Sequence, residues 1–276
     1  MEIIITLAFG LAGSLLIAGM AYRKGSLSKS GAIAAVVLGT TMFAVGSVAW
    51  FGTLIIFFLS SSLLSKMNRG KKQEAEQHYE KIGGRDAGQV LANGGVPLIA
   101  ALAYAFSPQV FWWHLFPGSL AAVNADTWAT ELGALSRSRP RSILSGKRVL
   151  PGTSGGVTLA GFGASLAGGG MIGLSAFVLS SFGGMDTSFV ERTAGGLLQI
   201  TAVCAIAGLL GSLADSSLGA SLQANYQCQV CGRQVEVPRH CNRLAQHIRG
   251  WRMLRNDQVN VTAAMIGGLA TAILYI

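Results

Sequence analysis

Residues 194–215 have the sequence AGGLLQITAVCAIAGLLGSLAD, and this stretch decides the fold class. It carries no charged residue before Asp215, and its length meets the roughly 20 residues that an α-helix needs to cross a bilayer core. Comparable apolar stretches recur along the chain. They predict about eight spans, over residues 1–21, 31–48, 50–65, 88–106, 110–134, 153–182, 194–215 and 258–276. The sequence therefore predicts an all-α, polytopic helical bundle that forms a single membrane domain over residues 1–276.

Composition supports a membrane protein. The mean hydropathy is +0.49 and 12% of residues are charged, whereas soluble domains carry about a quarter. The 37 glycines suit helices that pack closely in lipid. Residues 1–20 lack a basic leading segment, so we expect a retained first span and not a cleaved signal. The net charge of +9 lies in short loops and not on a soluble face, so no nucleic-acid partner is expected.

The basic residues predict how the chain is oriented. Of the 21 Lys and Arg residues, 20 lie in every second loop between the predicted spans, and Arg192 is the exception. These loops cover residues 22–30, 66–87, 135–152 and 216–257. Short loops rich in Lys and Arg face the cytoplasm. We therefore expect a multi-pass protein of the cell membrane whose polar working face is cytoplasmic and whose two termini lie outside.

Apart from Glu2 at the very start of the first span, three acidic residues fall inside predicted spans: Asp126, Glu131 and Asp215. A carboxylate at membrane depth costs about 2.5 kcal/mol or more, so it persists when it is paired, hydrated or bound to a metal. Asn124 and Thr127 lie on the same polar arc as Asp126 and Glu131. Oxygen ligands suit Mg²⁺, and we expect the three carboxylates to bind it. The alternative is a helix that merely lines a water-filled crevice.

Two further polar runs border the last two spans. Ser216 and Gly219 follow Asp215 at the end of the seventh span, and a carboxylate, hydroxyls and a glycine suit a metal–phosphate site. The second run, at the start of the eighth span, contains Asn256, Asp257 and Asn260. Its residues also suit a helix N-cap, and capping is compatible with ligand binding.

A basic, glycine-rich loop precedes the sixth span. It places two cations before a Pro-Gly turn and a helix start, where backbone amides and the helix dipole attract phosphate. The predicted phosphate ligands are Lys147, Arg148, Gly152, Thr153, Ser154, Gly155 and Gly156. Asn93, in a second glycine-rich break, is a further candidate. A turn with a purely structural role is the alternative.

Three of the four cysteines lie in the loop over residues 224–255, as Cys228-x-x-Cys231 followed by His240-Cys241. Disulfides are disfavoured on a cytoplasmic side, and this spacing suits tetrahedral Zn²⁺. We expect a structural zinc held by Cys228, Cys231, His240 and Cys241. His247 is an alternative fourth ligand, and unligated thiols are the competing interpretation.

Four motifs in order resemble the uncharacterised-domain membrane family 92, which includes the plant and cyanobacterial phytyl-phosphate kinases. They are NADTWATELG (124–133), PGTSGGVT (151–158), DSSLGASLQ (215–223) and NDQVN (256–260). The resemblance implies transfer of a phosphoryl group from CTP or another nucleoside triphosphate, with Mg²⁺, to a prenyl monophosphate. It implies that the following motif positions belong to the site: Asn124, Asp126, Thr127, Glu131, Thr153, Ser154, Gly155, Gly156, Asp215, Ser216, Gly219, Asn256, Asp257 and Asn260. The Cys-containing insert departs from the plant kinases.

Two other functions share parts of this pattern. A transporter or flippase of an anionic substrate also uses broken helices and intramembrane carboxylates. A CTP-dependent lipid cytidylyltransferase would use the same metal and phosphate ligands. The sequence favours the kinase.

Overall fold

The computed structural model describes residues 2–67, 84–182 and 193–275. Arg69, Lys71, Lys72, Lys81 and Arg192, which entered the loop assignment above, lie outside these residues. The described residues form seven helices: α1 (Glu2–Arg23), α2 (Lys29–Met67), α3 (Ala87–Phe106), α4 (Val110–Gly133), α5 (Leu159–Ser180), α6 (Ala194–Ser221) and α7 (Asn256–Leu274). The prediction of an all-α bundle is confirmed.

Five of the described helices, α1, α2, α3, α5 and α6, are long and apolar enough to cross a membrane. This is fewer than the predicted eight spans, and the difference has two sources. The predicted second and third spans form the single helical element α2. The other two helices, α4 and α7, carry the polar runs 124–131 and 256–260, which make them less apolar.

Helix α2 is bent sharply at Ser47, whose φ of 78° is not helical. Near its start, the Ser28 amide donates to the Arg85 carbonyl at 3.0 Å. Near its end, the Arg85 guanidinium donates to the Ser61 hydroxyl at 3.2 Å. Both ends of α2 therefore lie beside one residue, although a straight helix of 39 residues would be about 58 Å long. The two arms of α2 correspond to the predicted spans 31–48 and 50–65.

Two predicted boundaries differ from the observed ones. The predicted span 153–182 is shorter as a helix, because Thr158 caps its first turn and α5 begins at Leu159. Helix α6 continues to Ser221, six residues beyond the predicted end at Asp215. Polar residues can extend a helix when they line a cavity between helices and do not face lipid.

Helix α4 lies at the centre of the bundle and packs against α2, α3, α5, α6 and α7. Its residues from Trp113 to Ala125 are buried. Glycine permits the close contact between two of its neighbours, α5 and α6. A Cβ atom on Gly169 would lie 2.6 Å from the Cys204 carbonyl oxygen. This dense packing fixes the position of the polar C-terminal half of α4.

Short strands occur in two of the connections. Strands β1 (Arg141–Ser142) and β2 (Gly156–Val157) pair antiparallel before α5. The connection between α6 and α7 contains the other five: β3 (Asn225–Gln227), β4 (Gln234–Val235), β5 (Arg239–His240), β6 (Arg243–Leu244) and β7 (Gln246–Arg249). They form a three-stranded sheet in the order β4-β3-β7 and a β5-β6 hairpin. We call residues 224–255 the β module.

The described parts of the four basic loops meet at one end of the bundle. Leu27, after α1, bridges to Arg85, before α3, and the loop before α5 contacts the end of α6. At the opposite end, the rings of His114 and Tyr275 stack with centroids 3.7 Å apart. The basic loops that were predicted to lie on one side of the membrane are therefore found at the same end of the bundle.

Candidate functional site

A polar cavity of about 440 Å³ opens at the end of the bundle that carries the basic loops. Helices α2 to α7 and the loop before α5 all contribute to its wall. The cavity brings together most of the predicted site residues, namely Asn93, Asp126, Thr127, Glu131, Gly152, Thr153, Ser154, Gly155, Gly156, Asp215, Ser216, Gly219, Asn256 and Asn260. Residues from four separate motifs thus form one surface.

Three carboxylates from two helices line this cavity. Asp126 accepts a hydrogen bond from the Ser212 hydroxyl at 3.3 Å, and Glu131 accepts one from Ser65 at 2.8 Å. One oxygen of Asp215 is buried and has no hydrogen-bond partner among the described residues. Because a buried polar atom without a partner is costly, this oxygen suits a cation ligand. The oxygen-only donor set fits Mg²⁺.

The glycine-rich loop packs directly against the C-terminal end of α6. Gly155 has a φ of +75°, and a Cβ atom there would overlap the side chain of Ala220 and lie 2.9 Å from the Ser216 carbonyl oxygen. A Cβ atom on Gly219 would lie 2.9 Å from the Ser154 hydroxyl. The loop and the 215–223 run are therefore in contact, which the sequence alone does not show.

We expect Gly155→Ala to lower the free energy of unfolding by about 1–3 kcal/mol, because the left-handed backbone and the overlap with Ala220 both oppose a methyl group. The measurement is thermal unfolding of the purified protein in detergent. The control is Gly163→Ala, since a Cβ atom on Gly163 meets nothing within 4 Å. Equal melting temperatures for the two variants would contradict the loop packing.

Two long helices begin at the cavity. The Thr158 hydroxyl accepts from the Gly161 amide at 3.0 Å at the start of α5, and both residues line the wall. Asn256 and Asn260 line it at the start of α7. The positive ends of two helix dipoles therefore face the cavity, which favours anions such as phosphate.

Four predicted ligands are not part of the cavity wall. Lys147 and Arg148 lie in an exposed turn, where the Lys147 carbonyl accepts from the Ser142 amide at 2.8 Å. Asn124 is buried and joins three helices, since it accepts from Ser60 at 3.1 Å and donates to the Gly168 carbonyl at 2.8 Å. Asp257 lies in the first turn of α7, outside the wall.

Arg85 is a cavity residue that the sequence analysis did not select. Its guanidinium donates to Ser61 and lies 5.8 Å from the ring centroid of Phe57. Burial lowers the pKa of Arg85 to about 10, so the group remains charged at neutral pH. Within the described residues it forms no ion pair with a carboxylate. A desolvated cation of this kind is suited to an anionic ligand.

A sequence signal for this position does exist. Asp86 caps α3 and forms a capping box with Gln89, so that Arg85 directly precedes a helix start. The same signal finds Gln89, which also lines the cavity. No local sequence pattern indicates the remaining polar wall residues that were not predicted. They are Ser65, Ser212, Gln223 and Glu236.

A second, apolar cavity adjoins the polar one. Its volume is about 60 Å³, and α1, α2 and α3 line it with apolar side chains that include Ile17, Phe51 and Leu54. Arg85 and Asn93 line both cavities. The half-buried Arg85 cation thus lies where the apolar cavity meets the polar, phosphate-suited cavity.

The β module gathers the cysteine motif. The ligand atoms of Cys228, Cys231, His240 and Cys241 all lie within 4.8 Å of one another. Hydrogen bonds with Cys231 and His240 lower the pKa of the Cys228 thiol to about 6. The alternative ligand His247 lies outside this cluster and packs edge-on against the Tyr226 ring.

Comparison with known proteins identifies relatives over nearly the whole chain. The chain is 34% identical to Protein PGR of Arabidopsis thaliana, over 97% of this chain and 95% of the relative. It is 27% identical to an uncharacterised membrane protein of Methanocaldococcus jannaschii, over 100% of this chain and 97% of the relative. No solved structure matches it.

The family model described as integral membrane protein DUF92 matches residues 12–268. That range includes the four motifs that form the polar cavity and the β module. It confirms the resemblance found in the sequence. The chain belongs to the DUF92 family of multi-pass integral membrane proteins.

Proposed function

We propose that the protein is a membrane-embedded kinase that transfers the γ-phosphoryl group of CTP or another nucleoside triphosphate to a prenyl monophosphate of the phytyl or geranylgeranyl type. The observation that carries this proposal is the junction at Arg85, where an apolar groove meets a polar cavity lined by carboxylates and a glycine-rich loop. A lipid phosphate and a nucleotide would need these two environments side by side.

The carboxylates Asp126, Glu131 and Asp215 would hold Mg²⁺. The unpartnered buried oxygen of Asp215 and the all-oxygen donor set support this assignment. The metal would neutralise charge that develops on the phosphate oxygens. The Ser212 and Ser65 hydroxyls, which donate to Asp126 and Glu131, would orient those carboxylates.

The nucleotide phosphates would be bound by residues 152–156 and by the starts of α5 and α7. The amides of Thr153 and Gly156 already donate to the carbonyls of Leu150 and Thr153, so the phosphates would bind to the other amides of this loop. Helix N-termini stabilise phosphate without further cations. Ser154, Ser216 and Asn260 line the same wall and supply hydroxyl and amide donors.

The acceptor phosphate would be bound by Arg85. Its prenyl chain would enter the groove lined by Ile17, Phe51 and Leu54 and continue between helices into lipid. A guanidinium binds phosphate through paired hydrogen bonds, which fixes the position of the attacking oxygen. Asn93, which lines both cavities, is placed to contact the same headgroup.

The reaction forms a bond between an acceptor phosphate oxygen and the γ-phosphorus, while the bond from that phosphorus to the bridging β–γ oxygen breaks. The nucleoside diphosphate leaves and the prenyl diphosphate remains. The attacking oxygen is already ionised near neutral pH, so no strong general base is needed. Positioning and charge neutralisation then account for most of the catalysis, as is usual in phosphoryl transfer.

The proposed orientation places the polar cavity on the cytoplasmic side of the cell membrane. The cavity lies at the end that carries the basic loops, and loops of this kind face the cytoplasm. Nucleoside triphosphates are available on that side.

The decisive experiment incubates the purified protein with geranylgeranyl or phytyl phosphate, Mg²⁺ and CTP or ATP labelled in the γ-phosphate. Labelled prenyl diphosphate is expected, and a protein-free reaction serves as the control. No transfer for any combination of prenyl length and nucleotide would refute the kinase.

Two measurements separate the alternative functions from the kinase: the products of the nucleotide reaction, and uptake by proteoliposomes. Release of pyrophosphate instead of a nucleoside diphosphate would show a cytidylyltransferase. Nucleotide-independent uptake of an anionic lipid phosphate into proteoliposomes would show a transporter. The gathering of polar groups at one end of the bundle favours an enzyme, because a transporter site lies near the midplane.

A further inference from the structure

The β module has too little apolar material to be stable alone. Its buried hydrophobic cluster consists of Ala224, Tyr226 and Val235. Units of about 30 residues usually require disulfides, a metal or another partner to compensate for so small a core. All its cysteines are free, so disulfides do not supply this stabilisation.

The cysteine cluster has the dimensions of a tetrahedral zinc site. With Zn–S and Zn–N bonds of about 2.3 and 2.1 Å, ligand atoms lie roughly 3.6–3.8 Å apart. The His240 Nδ1 atom lies 3.5 Å from the Cys231 sulfur and 3.3 Å from the Cys241 sulfur. Cys241 has a φ of 50°, and this turn brings two adjacent ligands to one point.

The cluster is connected through strand β4 to a residue of the polar cavity. The turn from Cys228 to Cys231 joins β3 to β4, and the Cys228 amide donates to the Arg233 carbonyl at 2.8 Å. Strand β4 ends at Val235, and the next residue, Glu236, lines the cavity wall. Asp215 lines the same cavity, so the two carboxylates belong to one polar surface.

A second connection runs through β7. Arg249 donates hydrogen bonds to the backbone carbonyls of Ala220 and Gly219, in the last turn of α6. That turn is the one against which Gly155 of the loop packs. The β module is therefore attached to the end of the helix that carries Asp215.

We propose that the β module binds one Zn²⁺ through Cys228, Cys231, His240 and Cys241, and that this metal fixes the β3–β4 hairpin that places Glu236 in the wall of the cavity. This proposal does not rest on the proposed kinase activity. Glu236 is then a fourth carboxylate in the cavity, beside Asp126, Glu131 and Asp215. The position of Glu236 depends on the zinc bound in the β module.

Metal analysis of the full-length protein tests the first half of the proposal. We expect one zinc per chain, and replacement by Co²⁺ should give the visible absorption of a tetrahedral thiolate site. Cys231→Ser and Cys241→Ser should lose the metal. The control Cys204→Ala, in α6 away from the cluster, should retain it. Absence of zinc and of the Co²⁺ spectrum from wild-type protein, or an unchanged spectrum in both serine variants, would overturn the site.

Hydrogen exchange of wild-type protein before and after zinc chelation tests the coupling. Exchange should increase at least several-fold in peptides covering residues 233–238 and 216–223, while residues 9–20 of α1 remain unchanged. Restoring zinc should reverse the increase. Loss of zinc with no change in either region would refute the coupling. This measurement uses no variant and no enzymatic activity, so its failure is distinguishable from failure of the kinase proposal.

Discussion

Replacing Asp215 with Asn is expected to reduce phosphoryl transfer by at least about 100-fold, which corresponds to about 2.7 kcal/mol of transition-state stabilisation. The buried carboxylate oxygen of Asp215 has no protein donor within the described residues, and Asp126 and Glu236 line the same cavity. Asn keeps the shape of the side chain but removes the negative charge. The measurement is the initial rate with saturating lipid phosphate and nucleotide across a range of Mg²⁺ concentrations.

A matched control is available two residues away on the same helix. Ser217→Ala removes a hydroxyl that donates to the Leu213 carbonyl at 2.7 Å and that is not part of the cavity wall. We expect this variant to retain its activity and its melting temperature. If Asp215→Asn kept wild-type activity, with an unchanged Mg²⁺ dependence, the assignment of Asp215 as a metal ligand would be wrong.

The fold class was predictable because it follows from local properties. Apolar length determines where helices can span a bilayer, and the predicted span 110–134 agrees with α4 to within a residue. The return of α2 was also indicated, since two consecutive spans were predicted over residues 31–48 and 50–65, and their boundary lies two residues after the observed bend at Ser47. The exact helix ends were less predictable, because α6 continues six residues beyond Asp215 along the wall of the polar cavity.

The candidate site was only partly predictable, because charge alone does not give location. Lys147 and Arg148 precede the glycine-rich loop in sequence, but the β1–β2 turn leaves both in solvent. Arg85 lies in a loop with five other basic residues, and the capping box that follows it marks a helix start but does not show that its side chain packs against Ser61 and Phe57. The acids were easier to select, since a carboxylate within an apolar span requires an explanation by itself.

Arg85 provides the second test. We expect Arg85→Gln to raise the KM for the lipid phosphate by about 10- to 100-fold, because hydrogen bonds to a charged group contribute about 1.5–3 kcal/mol. The KM for the nucleotide should change little, since its proposed phosphate ligands belong to residues 152–156 and the starts of α5 and α7. Arg85→Lys should restore part of the affinity, because an ammonium keeps the charge but loses the paired geometry.

The control for charge is Arg23→Gln, which removes an exposed cation at the same end of the bundle. If the effect came from a general loss of positive surface charge, the KM for the lipid phosphate would rise equally in Arg23→Gln and Arg85→Gln. If Arg85 binds the acceptor phosphate, this KM rises only in Arg85→Gln. Folding should be preserved, since the Arg85 backbone still accepts from Ser28 and donates to Ser26. An equal rise in the KM for lipid and for nucleotide, or no rise in either, would show that Arg85 does not bind the acceptor phosphate. The apolar cavity beside Arg85 would then have no role as the entry for the prenyl chain.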